Sequence, residues 1–232
     1  MTSIAATLAP LFQQTPPEDL VRYFQHVEAG DFSDHFECQV NLFPVETAVR
    51  VTQEFRDFEP RVGNLQGIVL DDANLSDCHV YLTHPACCGM VMFLRHDGDS
   101  HMIFASVDEF LAAANHAIAA AQPLRSYERS PILLPDDEAA NQRIREMLAG
   151  ETEYDIEGAI DTLLASMNLT DLELLSSLAS NEDFFIAESV GVAIARRPRA
   201  ELLPIAKLVS GHPDSQAANA GAIAIRAIHS CQ

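Results

Sequence analysis

Residues 90–111 read MVMFLRHDGDSHMIFASVDEFL, and this stretch decides the fold of the first half of the chain. Two apolar, β-branched or aromatic runs, Met90–His96 and Ser100–Ser106, flank Asp97-Gly98, a dipeptide that favours the tight turn of a β-hairpin. Ser106-Val107-Asp108-Glu109 then has the capping-box pattern, a hydroxyl followed three residues later by a carboxylate. It predicts a helix with Phe110, Leu111, Ala114 and Ile118 on its buried face. Upstream lie two more strand-like runs, Gln66–Leu70 and Cys78–Thr83, separated by the polar stretch Asp71–Asp77 and followed by a turn at Pro85–Gly89. Four consecutive strands with short links predict an antiparallel meander.

Working outward, Thr15-Pro16-Pro17-Glu18 reads as a helix start with Thr15 as cap. Leu20, Val21, Phe24 and Val27 form one apolar face, and Gly30 ends the helix. A strand is expected within 36–43 and a helix over Val45–Phe58. The first 122 residues are therefore predicted to be an α+β domain, an antiparallel sheet with flanking helices. Pro123, Pro131 and Pro135 among Ser and Arg mark residues 123–135 as a linker.

Residues 136–232 read as an all-α domain of helical repeats. Shifting Tyr154–Leu164 by 30 places Tyr154 on Phe184, Ile160 on Val190 and Leu164 on Ile194. A shift of 31 places Asp183 on Asp214, Ala187 on Ala218, Val192 on Ile223 and Ile194 on Ile225. Polar turns at Ala149–Thr152, Ser180–Asp183 and Gly211–Asp214 punctuate the units. Such units bury their apolar faces only by stacking on neighbours. They resemble HEAT-like repeats with a shortened period.

The chain carries 34 acidic and 14 basic residues, a formal charge of −20, and Lys207 is its one lysine. Direct nucleic-acid binding is not expected, since phosphate contacts need clustered cations. The acidity reads either as solubility or adaptation to salt, or as complementarity to a partner with a basic surface. The acidity is uneven: residues 1–122 hold 17 acidic and 5 basic residues, residues 136–188 hold 14 and 2, and from Arg196 onward the balance reverses to 2 and 5. Arg196, Arg197 and Arg199 form a basic knot around Pro198, read either as a contact patch or as partners of neighbouring repeats. No apolar run is long enough to span a bilayer. The N-terminus lacks a basic region before its apolar residues, so no signal peptide is expected. The odd count of five cysteines fits reduced thiols in the cytoplasm.

No motif compels a reaction. Cys78, His79, His84, Cys87, Cys88, His96 and His101 cluster in sequence without zinc-ligand spacing. Gly-x-Ser-x-Gly, a phosphate loop and a dinucleotide fingerprint are absent. His35 with Cys38 offers a possible thiolate pair. Asp71, Asp72, Asp77, Asp97 and Asp99 sit on the sheet loops, where a binding surface is expected, and no cofactor or metal is expected.

The order from Gly67 to Ile118, and above all Val91–Leu94, His96-Asp97-Gly98 and Ile103–Leu111, resembles the end of SMI1/KNR4-like (SUKH) domains. The early helix ending in Gly30 is similar to their opening helix. The sequence departs from that pattern in having no Trp and only an approximate helix entry at Pro17-Glu18-Asp19. The resemblance implies a non-catalytic binding role: many bacterial members are immunity proteins that neutralise a toxin by occluding it. Two other readings stay open, a scaffold built on the helical repeats and a hydrolase or metal-binding enzyme using the His and Cys residues near the sheet.

Overall fold

A computed structural model describes residues 3–73, 77–96, 100–129 and 132–231. The chain divides into two compact units, Met1–Ile132 and Leu133–Gln232. The first is an antiparallel sheet with flanking helices, and the second is helical.

The helices of the first unit are α1 (Ile4–Leu8), α2 (Glu18–Ala29), α3 (Val45–Phe58), α4 (Pro60–Asn64) and α5 (Val107–Ala120). Its strands are β1 (Gly67–Val69), β2 (Cys78–Leu82), β3 (Val91–Leu94) and β4 (His101–Phe104). They pair as a meander in the order β1-β2-β3-β4. Ile68 lies opposite Tyr81, Val80 opposite Met92 and Phe93 opposite His101. Asp97 and Gly98, read as the β3–β4 turn, lie outside the described residues, although the two strands they join are antiparallel.

Every residue of β2 is buried, so the sheet is covered on both faces. Tyr81, with Ile68, Leu70, Val91 and Ile103, packs against Leu20, Tyr23 and Phe24 of α2 and Phe110 and Ala114 of α5 in one core. The hydroxyl of Tyr81 donates to the Asp19 carboxylate at 3.0 Å and ties the first turn of α2 to the sheet. Burial and the Asp19 charge raise the Tyr81 pKa, so the phenol stays a donor. Thr52 of α3 accepts the Val69 N–H through its side chain at 2.9 Å.

Ser106 caps α5 as its sequence predicts, accepting the Glu109 N–H at 3.2 Å. The reciprocal bond reaches one residue further back, from the Ala105 N–H to Glu109 Oε2. Two local expectations are corrected. Thr15 is exposed and is not the cap; α2 starts at Glu18 and Pro17 takes the N-cap position. The strand expected within 36–43 is a 3-10 turn, Phe36–Cys38, with isolated bridges His35↔Val40 and Leu42↔Asp71. Gln39, in left-handed backbone (φ 57°), interrupts any continuous ladder there.

Residues 123–135 do not form one free linker. A 3-10 turn at Leu124–Tyr127 closes the first unit: Leu124 enters its core, Tyr127 stacks on His116 and the Arg129 N–H donates to Ile103 O. Leu134 is buried in the second unit, with its N–H bonded to Ser166 O. Pro123, read as a spacer, is instead the cap of the 3-10 turn.

The second unit contains α6 (Glu138–Leu148), α7 (Glu157–Ser166), α8 (Leu172–Ala179), α9 (Phe184–Arg196), α10 (Leu203–Ser210) and α11 (Ser215–Ser230). They follow as three helix–turn–helix pairs, and α9 packs on α7, α8, α10 and α11. The turns repeat in detail. Thr152, Asp183 and Asp214 each accept the backbone N–H two residues ahead. Asn181 and His212 each accept the N–H of the following cap aspartate. Tyr154, matched in sequence to Phe184, precedes α7 in the Thr152 turn and is exposed. Ile223, matched to Val192, is also exposed.

A second set of bonds joins successive pairs. Asp137 Oδ1 accepts the backbone and side-chain N–H of Asn168, and Arg199 donates to the carbonyls of Asn168 and Leu169. Positions 137, 168 and 199 thus form a polar ladder along the stack.

Candidate binding site: a charged pocket between acidic loops

A cavity of about 460 Å³ in the first unit lies beside β2 and β3. Its wall contains Asp71, Ala73 and Asp77 between β1 and β2, His79 on β2, Phe93 and Arg95 on and after β3, Gln39, and Leu124, Arg125 and Glu128 from the closing 3-10 segment.

Asp71 and His79 form the innermost part, exposed by 1% and 4%. Asp71 Oδ1 accepts the His79 backbone N–H, and Oδ2 takes the Nδ1 hydrogen, both at 2.6 Å. The carboxylate therefore fixes the tautomer with Nδ1 as donor. The imidazole lies between Phe93 and Phe110, with centroids 4.9 and 4.7 Å away. Its Nε2 is buried and, among the described residues, has no hydrogen-bond partner. The Tyr23 hydroxyl is likewise buried and unpartnered, and burial, reinforced by Asp71, raises its pKa.

Glu128 is half-buried in the same wall. Burial raises its pKa, although His79, Arg95, His101 and Arg125 act to lower it. A carboxyl group whose folded pKa is raised contributes most stability below its unfolded pKa and loses it as pH rises through the folded value. Glu128→Gln is expected to stabilise the chain at neutral pH by less than ~1 kcal/mol, given the solvent screening at this site. The gain should shrink as pH falls through the carboxylate range. Urea melts across pH would check this; destabilisation at neutral pH would contradict it.

The five loop carboxylates picked out by the sequence do not act as one group. Asp71 is corrected from a surface contact to a buried acceptor, because both its oxygens are engaged inside the fold. Asp77 is half-buried and accepts the His96 N–H at 2.9 Å. Asp72 is exposed. Asp97 and Asp99 lie outside the described residues. A different acidic surface emerges, one the sequence reading missed. Asn41 receives the Asp34 N–H on its Oδ1 and donates from Nδ2 to Asp72 O. It stitches the 31–41 loop to the loop after β1, so that Asp31, Asp34, Glu37 and Asp72, all exposed, sit on neighbouring loops.

Of the two readings of the arginine knot, the one as partners of a neighbouring repeat holds for Arg197 and Arg199, and the contact patch does not. Arg197 donates to the carbonyls of Leu164 and Ala165, and burial pulls its pKa down to about 10. Arg199 holds Asn168 and Leu169 and pairs with Glu201. Two of the three guanidiniums thus serve the end of α7 and the segment after it; Arg196 is the exposed one.

Chemistry at the thiols of Cys38, Cys78 and Cys87 is discouraged by their burial. Cys38 is buried in the core, and His35 faces the carboxylates of Asp31 and Glu37. Burial raises the pKa of Cys78, Cys87 and Cys88, which lowers the thiolate fraction that a nucleophile needs. Among the described residues, no three His, Cys, Asp or Glu side chains converge on a metal position. No described helix is long and apolar enough to cross a membrane.

Compared with family models, curated proteins and solved structures, the chain matches none.

Proposed function

We propose that this chain is a non-catalytic binding protein of the immunity type, which occludes a basic protein domain, of the toxin class, through its acidic loops. The observation that carries this reading is the Asn41-stitched loop pair. It presents Asp31, Asp34, Glu37 and Asp72 to solvent on a chain of net charge −20. Its cations are largely engaged within the fold: Arg22, Arg50, Arg61, Arg143 and Arg145 pair with carboxylates, and Arg56 and Arg197 with carbonyls. The outward field is therefore negative, which speeds encounter with a basic surface and disfavours acidic ones. The SUKH-like order of the first half supplies the toxin class. The scaffold reading gains less support, because Arg197 and Arg199 hold the repeats together and do not form a free patch.

The test is capture by the tagged full chain from its own cells, with Asp34→Lys/Glu37→Lys/Asp72→Lys in parallel. The expected result is one strongly basic protein retained by the parent and lost from the variant. A neutral or acidic partner, or equal retention by both, would overturn the reading.

A further inference from the structure

In the second unit, each helix pair offers a face to the next. On α9 that face holds Ala187, Gly191 and Ile194, all buried, and α11 is seated on it: a Cβ at Gly191 would lie 2.9 Å from Ala220. The 31-residue period carries these positions to Ala218, Ala222 and Ile225 of α11, where all three are only half-buried. The charge beside this second face is basic. Arg226 stands one turn beyond Ala222, and Lys207 lies on the neighbouring α10. Both are exposed, and among the described residues neither pairs with a carboxylate. Asp214, the one acid within Leu203–Ser230, is engaged in capping α11. The first helix pair is the converse. Its turn carries Glu151, Glu153 and Tyr154, all exposed. Tyr154 is the period equivalent of Phe184, which stacks on Phe185 at 4.0 Å, yet it is 37% exposed.

We propose that the second unit binds a second copy of this chain head to tail. The Tyr154 turn of one copy docks on the face formed by Ala218, Ala222 and Ile225 of the next, with Glu151 and Glu153 against Lys207 and Arg226. Two observations choose the occupant. The face continues an interface already made within the chain, that of α9 with α11, so it fits the surface of another helical repeat. Its cations select an acidic partner, and a second copy brings carboxylates around an exposed aromatic side chain, the residue type that anchors interfaces. Tail-to-tail pairing would instead set Lys207 and Arg226 against themselves. A head-to-tail contact is heterologous, so a pair of copies keeps one unused head and one unused tail. The contact does not involve the acidic loops of the first unit and is independent of the proposed toxin partner.

Sedimentation velocity of the full chain tests this over about 10 μM to 1 mM protein. Salt is held at about 0.15 M, which screens the net charge beyond about 8 Å. The parent should associate as concentration rises, and more weakly as salt is added. A tail variant, Lys207→Glu/Arg226→Glu, and a head variant, Tyr154→Ser/Glu153→Gln, should each self-associate at least ~10-fold more weakly. An equimolar mixture of the two should regain the parent's affinity but stop at one-to-one dimers, because only the intact head of the first and the intact tail of the second match. A parent that stays monomeric to about 1 mM overturns the proposal. So does either variant that associates like the parent; for the head variant that is the mark of tail-to-tail pairing. A mixture that stays monomeric while circular dichroism shows both variants folded overturns it as well.

Discussion

Asp71→Ala is expected to destabilise the α+β unit by about 2–5 kcal/mol, because it leaves two buried donors without their shared acceptor. The cause is geometric. The His79 backbone N–H and its Nδ1–H both end on this one carboxylate, at 2.6 Å, in a site exposed by 1–4%. Alanine leaves both donors without this acceptor, the imidazole one on a ring packed against Phe93 and Phe110, and each stranded donor costs about 1–3 kcal/mol. Asp71→Asn keeps an oxygen for the backbone N–H, and His79 can switch tautomer to accept from the amide. Its expected cost is about 1–2 kcal/mol. Urea unfolding read by near-ultraviolet circular dichroism suits the test, because Tyr23 and Tyr81 are fully buried in this unit. A loss below ~1 kcal/mol for alanine, or equal losses for alanine and asparagine, would contradict the account.

Gly221→Ala tests the packing of the second unit, where two principles give opposite signs. Helix propensity favours alanine over glycine by about 1 kcal/mol. A Cβ at Gly221 would lie 2.2 Å from Ser210 N and 2.7 Å from Ser210 Cα and Val209 C. All three are backbone atoms of α10, which cannot yield as a side-chain tip can. The helices must separate, so overpacking at the upper end of its usual cost, about 3 kcal/mol, outweighs the propensity gain and a net loss of about 2 kcal/mol is expected. A Cβ at Gly191 would likewise lie 2.9 Å from the carbonyl carbon and Cβ of Ala220. Far-ultraviolet melts of the full chain would show the loss; a stabilised variant would mean that α10 and α11 do not meet as closely as described.

What the sequence made legible was local. The meander, the Ser106 cap and the α3 limits follow from periodicity and capping chemistry, which act within a few residues. Asp71 was not legible in that way. Asp71 and Asp72 are adjacent loop acids, and nothing local distinguishes them. Only the strand register does: continuing from Val69 opposite Val80 puts Asp71 diagonal to His79. The arginines carried a usable signal that local reading passed over. Stepping back from Arg199 by the repeat period reaches Asn168 and then Asp137, the ladder found in the fold. The 123–135 segment misled because proline marks a helix cap as well as a spacer. The acidic loops depend on Asn41, whose side chain reaches residue 72 from a position 31 residues earlier, a contact no window of sequence contains.

The central claim is that acidic loops of this chain meet a basic protein surface. The most direct measurement is the association rate with the captured partner as ionic strength rises, for the parent and for the Asp34→Lys/Glu37→Lys/Asp72→Lys variant. The account predicts a parent rate that falls by about 10-fold or more between low and high salt, and a variant rate that starts low and responds weakly. A parent rate indifferent to salt, or a variant that associates as fast as the parent, would contradict it.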